Sequence, residues 1–115
     1  MDYELQIKNP RTAVLCVKDR VTVYQLQTFK DLLESVRKKM GDRKRLILDF
    51  SSLMFMDALA LGVIVAFSKA FRDKGGEIKM VNLNGDLSRV FEESRLARVY
   101  ETYGSVEEAE RSFSG

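Results

Sequence analysis

Histidine is absent from the 115 residues, so neither a Ser-His pair nor an imidazole metal site can be assembled from this chain. Cysteine occurs once, as Cys16, which excludes a disulfide within the chain. Its setting in Val14-Leu15-Cys16-Val17 reads as a small buried apolar residue rather than a reactive thiol. No apolar run approaches the roughly 18 residues that span a bilayer, and Met1-Asp2-Tyr3-Glu4 does not resemble a signal peptide, so the cytoplasm is the expected location. Charge of one sign is not in excess either. With 19 basic and 17 acidic residues the net charge is +2, too little for a general nucleic-acid or acidic-membrane binder. Gly-Lys-Ser/Thr does not occur, Gly62 is isolated, and Gly75-Gly76 lies after a helix and before a strand, so a phosphate loop is excluded. Repeats, linkers and low-complexity stretches are also missing. A chain of this length reads as one domain over residues 1–115, able to bury roughly two-thirds of its unfolded surface and to fold without metals or disulfides, and no cofactor is expected.

What is present alternates between strands and helices. Tyr3-Glu4-Leu5-Gln6-Ile7 alternates like an edge strand, Asn9-Pro10 turns, and Ala13 to Val17 reads as a more buried strand. From about Tyr24 to Met40 the apolar positions Leu26, Phe29, Leu33, Val36 and Met40 recur three and four apart, aligning on one helix face, and Gly41 stops the helix. The basic run Arg37-Lys38-Lys39 and Arg43-Lys44-Arg45 complements a helix C-terminus in solvent, and no aromatic residue interleaves with it to stack on bases.

The central stretch is the most informative. Leu46-Ile47-Leu48-Asp49-Phe50 reads as a buried strand running into a turn at Ser51-Ser52. Asp57 then precedes Leu59, Val63, Ala66 and Ala70 at helical spacing, which makes it an N-cap for a helix starting at about Ala58. After Gly75-Gly76, the alternation of Glu77 to Leu83 reads as a second strand, completing a parallel strand-helix-strand crossover. A third helix is expected over about Asp86 to Ser94. A short last one, containing Ala109 and Phe113, is announced by Ser105 as N-cap with Glu108 three residues on. Between Ala58 and Phe67 no polar side chain appears, so this helix is either buried by its neighbours or turns a face to another protein. The two readings combine if the first turn near Leu61 is exposed. On that view Leu61→Glu abolishes partner binding and spares folding.

Catalytic readings fare poorly. Asp49 and Asp57 are expected at a strand end and a helix cap, where structural hydrogen bonding accounts for both. A response-regulator receiver also carries an acid at the tip of its third strand, but it needs further carboxylates after the first strand to hold a magnesium ion. Here the first strands end in Lys8-Asn9 and Lys18-Asp19.

In Leu48-Asp49-Phe50, Phe55-Met56-Asp57 and Leu61-Gly62-Val63, continued by Lys74-Gly75-Gly76, Val81-Asn82-Leu83, Arg89-Val90-Phe91, Ser94-Arg95-Leu96 and Ser105 to Ala109, the chain resembles the STAS domain family. That family includes bacterial anti-sigma factor antagonists. The resemblance covers nearly the whole chain and implies an α/β fold with a mixed, mainly parallel sheet of about four or five strands and about four helices. It further implies a protein-binding regulator rather than an enzyme, docking on an anti-sigma factor or related regulatory kinase. A constitutive scaffold or accessory subunit of a stress-signalling or lipid-transport assembly is the second expectation. A homodimer is left open. By the resemblance, partner contacts are expected at Thr22, Val23, Tyr24, Asp57, Ala58, Leu59, Leu61 and Gly62.

Three departures from the family pattern matter. Ala58 stands where phosphorylated members carry the acceptor serine, and Leu59-Ala60 replace serine and glycine. The segment Gly-Glu-(Leu or Ile)-Asp falls on Asp19-Arg20-Val21-Thr22, so Thr22 replaces an acid associated with partner recognition. Alanine has no hydroxyl. A phosphate at this helix end would carry about −1.5 to −2 charge into a docking surface; without one the surface is expected to stay in its unphosphorylated, partner-competent form, unless Ser51 or Ser52 near the same helix end takes the phosphate instead.

Overall fold

The computed structural model describes residues 1–113 of the chain. Seven strands and four α-helices follow one another as β1 (Tyr3–Ile7), β2 (Thr12–Val17), β3 (Asp19–Val21), α1 (Leu26–Met40), β4 (Arg45–Asp49), β5 (Leu53–Met56), α2 (Ala58–Asp73), β6 (Glu77–Val81), α3 (Gly85–Glu93), β7 (Thr102–Tyr103) and α4 (Val106–Ser112). A five-stranded sheet runs in the order β1-β2-β4-β6-β7. Its inner pairs are parallel and only β1 against β2 is antiparallel. This is the mixed, mainly parallel α/β sheet with four helices that the resemblance implies. The short β3 and β5, which have no counterpart in the sequence reading, form a separate two-stranded parallel sheet.

Period-2 alternation sorts the strand residues between two layers. Leu15, Val17, Leu46, Leu48, Ile78 and Met80 join the main core under α1 and α2. Val14, Ile47 and Val81 face the other way, onto Ala109 and Phe113 of the α4 segment. The apolar face of α1 buries Phe29, Leu32, Leu33, Val36 and Met40, and Leu26 is only half-buried. The helix begins two residues later than the periodicity suggests, because Val23–Gln25 form a 3-10 turn ahead of it. Gly41 ends it with φ 62° and donates its N–H to the Lys38 carbonyl, a conformation favoured by glycine. Strand β6 stops at Val81 rather than Leu83, where Asn82 turns to φ 61°. Cys16 is half-buried rather than fully enclosed and lines an open depression with Val14 and with Val106 and Glu107 of α4.

Lys79 lies on the α4 side of β6 and is buried. Its ammonium sits over the Phe113 ring at 4.4 Å and the Tyr103 ring at 5.3 Å. It also donates to the Ser112 hydroxyl at 2.5 Å and pairs with Glu101 at 3.1 Å. A buried cation is tolerated only when it is partnered in this way. A hydrogen bond donated by the Tyr103 hydroxyl, together with the Lys79 contact, holds the Glu101 carboxyl below its ordinary value of 4.5. A carboxyl depressed in the folded state stabilises the fold above its unfolded pKa, and that contribution is lost as pH falls through the folded value. Glu101 is largely exposed, so the effect is small. In urea titrations from neutral to acid pH, Glu101→Gln is expected to flatten part of the acid fall in midpoint; an unchanged slope would show that the contact contributes nothing.

A candidate protein-docking tip

Strands β3 and β5 run side by side and deliver two helix starts to the same end of the molecule. Val21 lies opposite Met56 in the ladder, and the Asp57 N–H donates to the Val21 carbonyl at 3.2 Å. Thr22 and Asp57, which follow these residues, are therefore neighbours. Each caps a helix. The Thr22 hydroxyl accepts from the Tyr24 N–H at 3.3 Å and donates to Gln25 Oε1 at 2.6 Å, while Gln25 Oε1 also accepts the Thr22 N–H at 2.8 Å. This reciprocal box fixes the chain entering α1 and leaves Val23 and Tyr24 facing water. Asp57 accepts the Ala60 N–H at 3.1 Å, the N-cap role expected of it.

The first turn of α2 divides sharply. Ala58 and Leu59 are exposed, Ala60 and Leu61 are buried, and Gly62 is exposed. Leu61 is 3% exposed and belongs to the main core, whereas Leu59 is 58% exposed. The expectation of an exposed Leu61 is thereby corrected: a helix advances 100° per residue, so two positions apart face nearly opposite ways. The outer face of α2 does carry the apolar surface its composition suggests, through Leu59, Gly62, Val65 and Ala66.

Strand β5 adds side chains outside the expected contact set. Leu53 and Met56 point inward, while Met54 and Phe55 are exposed. Phe55 lies opposite Arg20 on β3. The run Met54-Phe55 was visible in the sequence, but without a strand partner its facing could not be assigned.

Asp49 accepts from the Ser51 N–H at 2.9 Å and the Asn82 side-chain amide at 3.0 Å, the structural bonding expected of it. Ser51 and Ser52 are exposed in the turn before β5. The whole of β5 separates them from α2, about 13 Å at strand rise, so neither lies at that helix end. The capping of α4 is also modified: Ser105 accepts the Glu108 N–H, but Glu108 reaches the N–H of Gly104 instead of Ser105.

This architecture defines a class, the small α/β domains in which a helix N-terminus is presented at one end of a mixed, mainly parallel sheet. The STAS domain model matches residues 6–109, and the chain belongs to that family. It is 28% identical over 103 residues to an anti-sigma-B factor antagonist of Listeria monocytogenes, covering 88% of this chain and 89% of the relative. Its fold is similar to that of the anti-sigma factor antagonist SpoIIAA in its unphosphorylated form, with a TM-score of 0.78 at 18% identity, covering 99% of this chain and 100% of the other. A protein of Thermotoga maritima described as a putative anti-sigma factor antagonist superposes with a TM-score of 0.84 at 23% identity, covering 95% and 92% of the two chains. No helix among the described residues is long and apolar enough to cross a membrane.

Proposed function

We propose that this protein acts as an anti-sigma factor antagonist, docking the tip formed by Thr22 to Tyr24, Phe55 and Asp57 to Gly62 on an anti-sigma factor or a related regulatory kinase. The observation that carries this reading is the cluster of exposed apolar side chains at the paired helix starts of a STAS fold. Large apolar groups gathered at one end of a small domain mark a protein-contact surface. Leu61 belongs beneath this surface, holding α2 in place, and Leu59 takes its role as a contact.

Ala58 is exposed in the first turn. With a methyl group there, a kinase partner finds no hydroxyl to modify at this position, and the first turn of α2 gains no phosphate charge whatever the partner's nucleotide state. Regulation then acts on the partner or on the amount of this protein.

Affinity capture from the native cell lysate, with Leu59→Glu as the control bait, tests the assignment. Recovery of an anti-sigma factor of the kinase type by the wild-type protein, and its loss with Leu59→Glu, is the expected result. Recovery of transporter subunits or other STAS proteins in its place would make the protein a scaffold and remove sigma-factor control.

A further inference from the structure

Strand β1 is the outermost strand of the five-stranded sheet and pairs on one side only, with β2. The Lys18 N–H donates to the Asp2 carbonyl and the Lys8 N–H to the Thr12 carbonyl. Between these bonds the register from Tyr3 to Ile7 runs without a shift. In an antiparallel ladder, residues whose main chain bonds to the neighbouring strand alternate with residues whose main chain faces away. Asp2, Glu4, Gln6 and Lys8 therefore bond towards β2, while Tyr3, Leu5 and Ile7 turn their N–H and C=O groups to the open edge. Neither a proline nor a bulge interrupts this row, so it is a template for another extended chain.

The side chains identify the strand that matches this edge. Tyr3 and Leu5 pack against the main core, and Ile7, on the same side by alternation, is 42% exposed. Glu4, Gln6 and Lys8 line the open depression on the α4 side. We propose that β1 pairs antiparallel with β1 of a second copy of this chain, centred on Leu5, joining the two sheets into one. In that register Leu5 meets Leu5, Tyr3 meets Ile7, Glu4 meets Gln6 and Asp2 meets Lys8. Apolar side chains fall on apolar ones, with an aromatic against a β-branched residue, and on the other face acid falls on base with no like charges directly opposed. The Lys8 ammonium lies 3.8 Å from the Glu110 carboxylate, beyond hydrogen-bond distance, and keeps donors for Asp2 of the second copy. Glu4 holds Lys18 at 3.0 Å with its side chain 73% exposed, which leaves it open to the Gln6 amide. Centring the pair on Gln6 would instead set Tyr3 against Asn9, past the end of the strand. The second copy runs in the reverse direction, so the two docking tips point opposite ways, and the pairing stands or falls independently of the docking reading.

Two short strand edges bury less area than a stable complex, so a weak dimer is expected, with Kd on the order of 10–100 µM. Sedimentation equilibrium of the purified chain across that range measures it. Amide hydrogen exchange of dilute and concentrated samples should show slowing at Tyr3, Leu5 and Ile7 in the concentrated one, because pairing covers those amides. Ile7→Pro removes an N–H that faces away from β2, which leaves the ladder within the protein intact, and should abolish the dimer. Gln6 is exposed and tests the register. Gln6→Glu opposes Glu4 with a like charge and should raise Kd about fivefold, whereas Gln6→Lys opposes it with a base and should lower Kd about fivefold. Circular dichroism checks that the variants fold, and the two Gln6 variants decide the matter if Ile7→Pro does not.

A monomer at every concentration would overturn the pairing. So would a dimer that a folded Ile7→Pro protein retains, and one lost with Leu59→Glu instead would assign the contact to the docking tip. Weakening by both Gln6 variants would overturn the Leu5 register and move the centre to Gln6, where each new charge would face its own copy.

Discussion

Leu61→Glu is expected to unfold the domain, and Leu59→Glu to leave it folded. Leu61 is enclosed with Leu53, Met56, Ile64 and other core residues in the main cluster, at 3% exposure. Substitution removes about 1.5–3 kcal/mol of apolar burial. It also forces a carboxylate into a setting where ionisation without a partner costs several kcal/mol more. Against a total stability of about 5–15 kcal/mol for a small domain, the sum is enough to abolish the cooperative transition. Leu59 is two positions away, 58% exposed, and its substitution should shift stability by no more than about 0.5 kcal/mol. Urea denaturation followed by circular dichroism distinguishes the two directly. A folded Leu61→Glu would mean that α2 can rotate on the sheet, and with it the division between docking surface and core.

The second large effect is expected at Gly76. A Cβ built there would lie 2.4 Å from Cδ2 and Cε2 of Phe71 and 2.7 Å from Cγ. Phe71 is buried and stacks on Phe67 with ring centroids 5.7 Å apart, so the ring cannot withdraw without disturbing a second one. Gly76→Ala should therefore destabilise by about 1–3 kcal/mol, the range for overpacked cores. Gly62→Ala is the matched control. Apart from the adjoining residues and the helix's own backbone, no atom lies within 4 Å of a Cβ at Gly62, and alanine in an exposed helix interior should stabilise by about 0.5–1 kcal/mol. Midpoints of urea unfolding for the two variants are expected to move in opposite directions; a Gly76→Ala protein as stable as wild type would show that the turn after α2 yields more readily than the packing indicates.

The elements that were legible in the chain are those whose side chains repeat with a clear period. The apolar spacing of α1, the alternation in β6 and the short apolar run of β4 each reflect burial on a surface that the element itself defines. Caps were legible for a similar reason: Asp57 and Ser105 each bond to the amide three residues on, so the relevant chemistry is local. The box at Thr22 and Gln25 has the same local character and carries the same spacing, Thr22 followed three residues later by Gln25, although the apolar periodicity alone set the helix start at Tyr24. Strands β3 and β5 were not legible, because three or four residues carry too little periodicity and their pairing joins segments more than thirty positions apart in sequence.

The residue sequence by itself determined the order of strands β1, β2, β4 and β6 and of the four helices, the parallel crossover around Asp57, the family to which the chain belongs and the absence of a hydroxyl at Ala58. Each of these depends on residue identity, local spacing or motif order. Tertiary structure decided which residues of the candidate surface face solvent. An entirely apolar helix start does not reveal its own inner and outer sides, since Leu59 and Leu61 are chemically identical. Only the packing of α2 onto the sheet, and the β3–β5 pairing that brings Phe55 beside the start of α1, assigns one leucine to the core and the other to the tip.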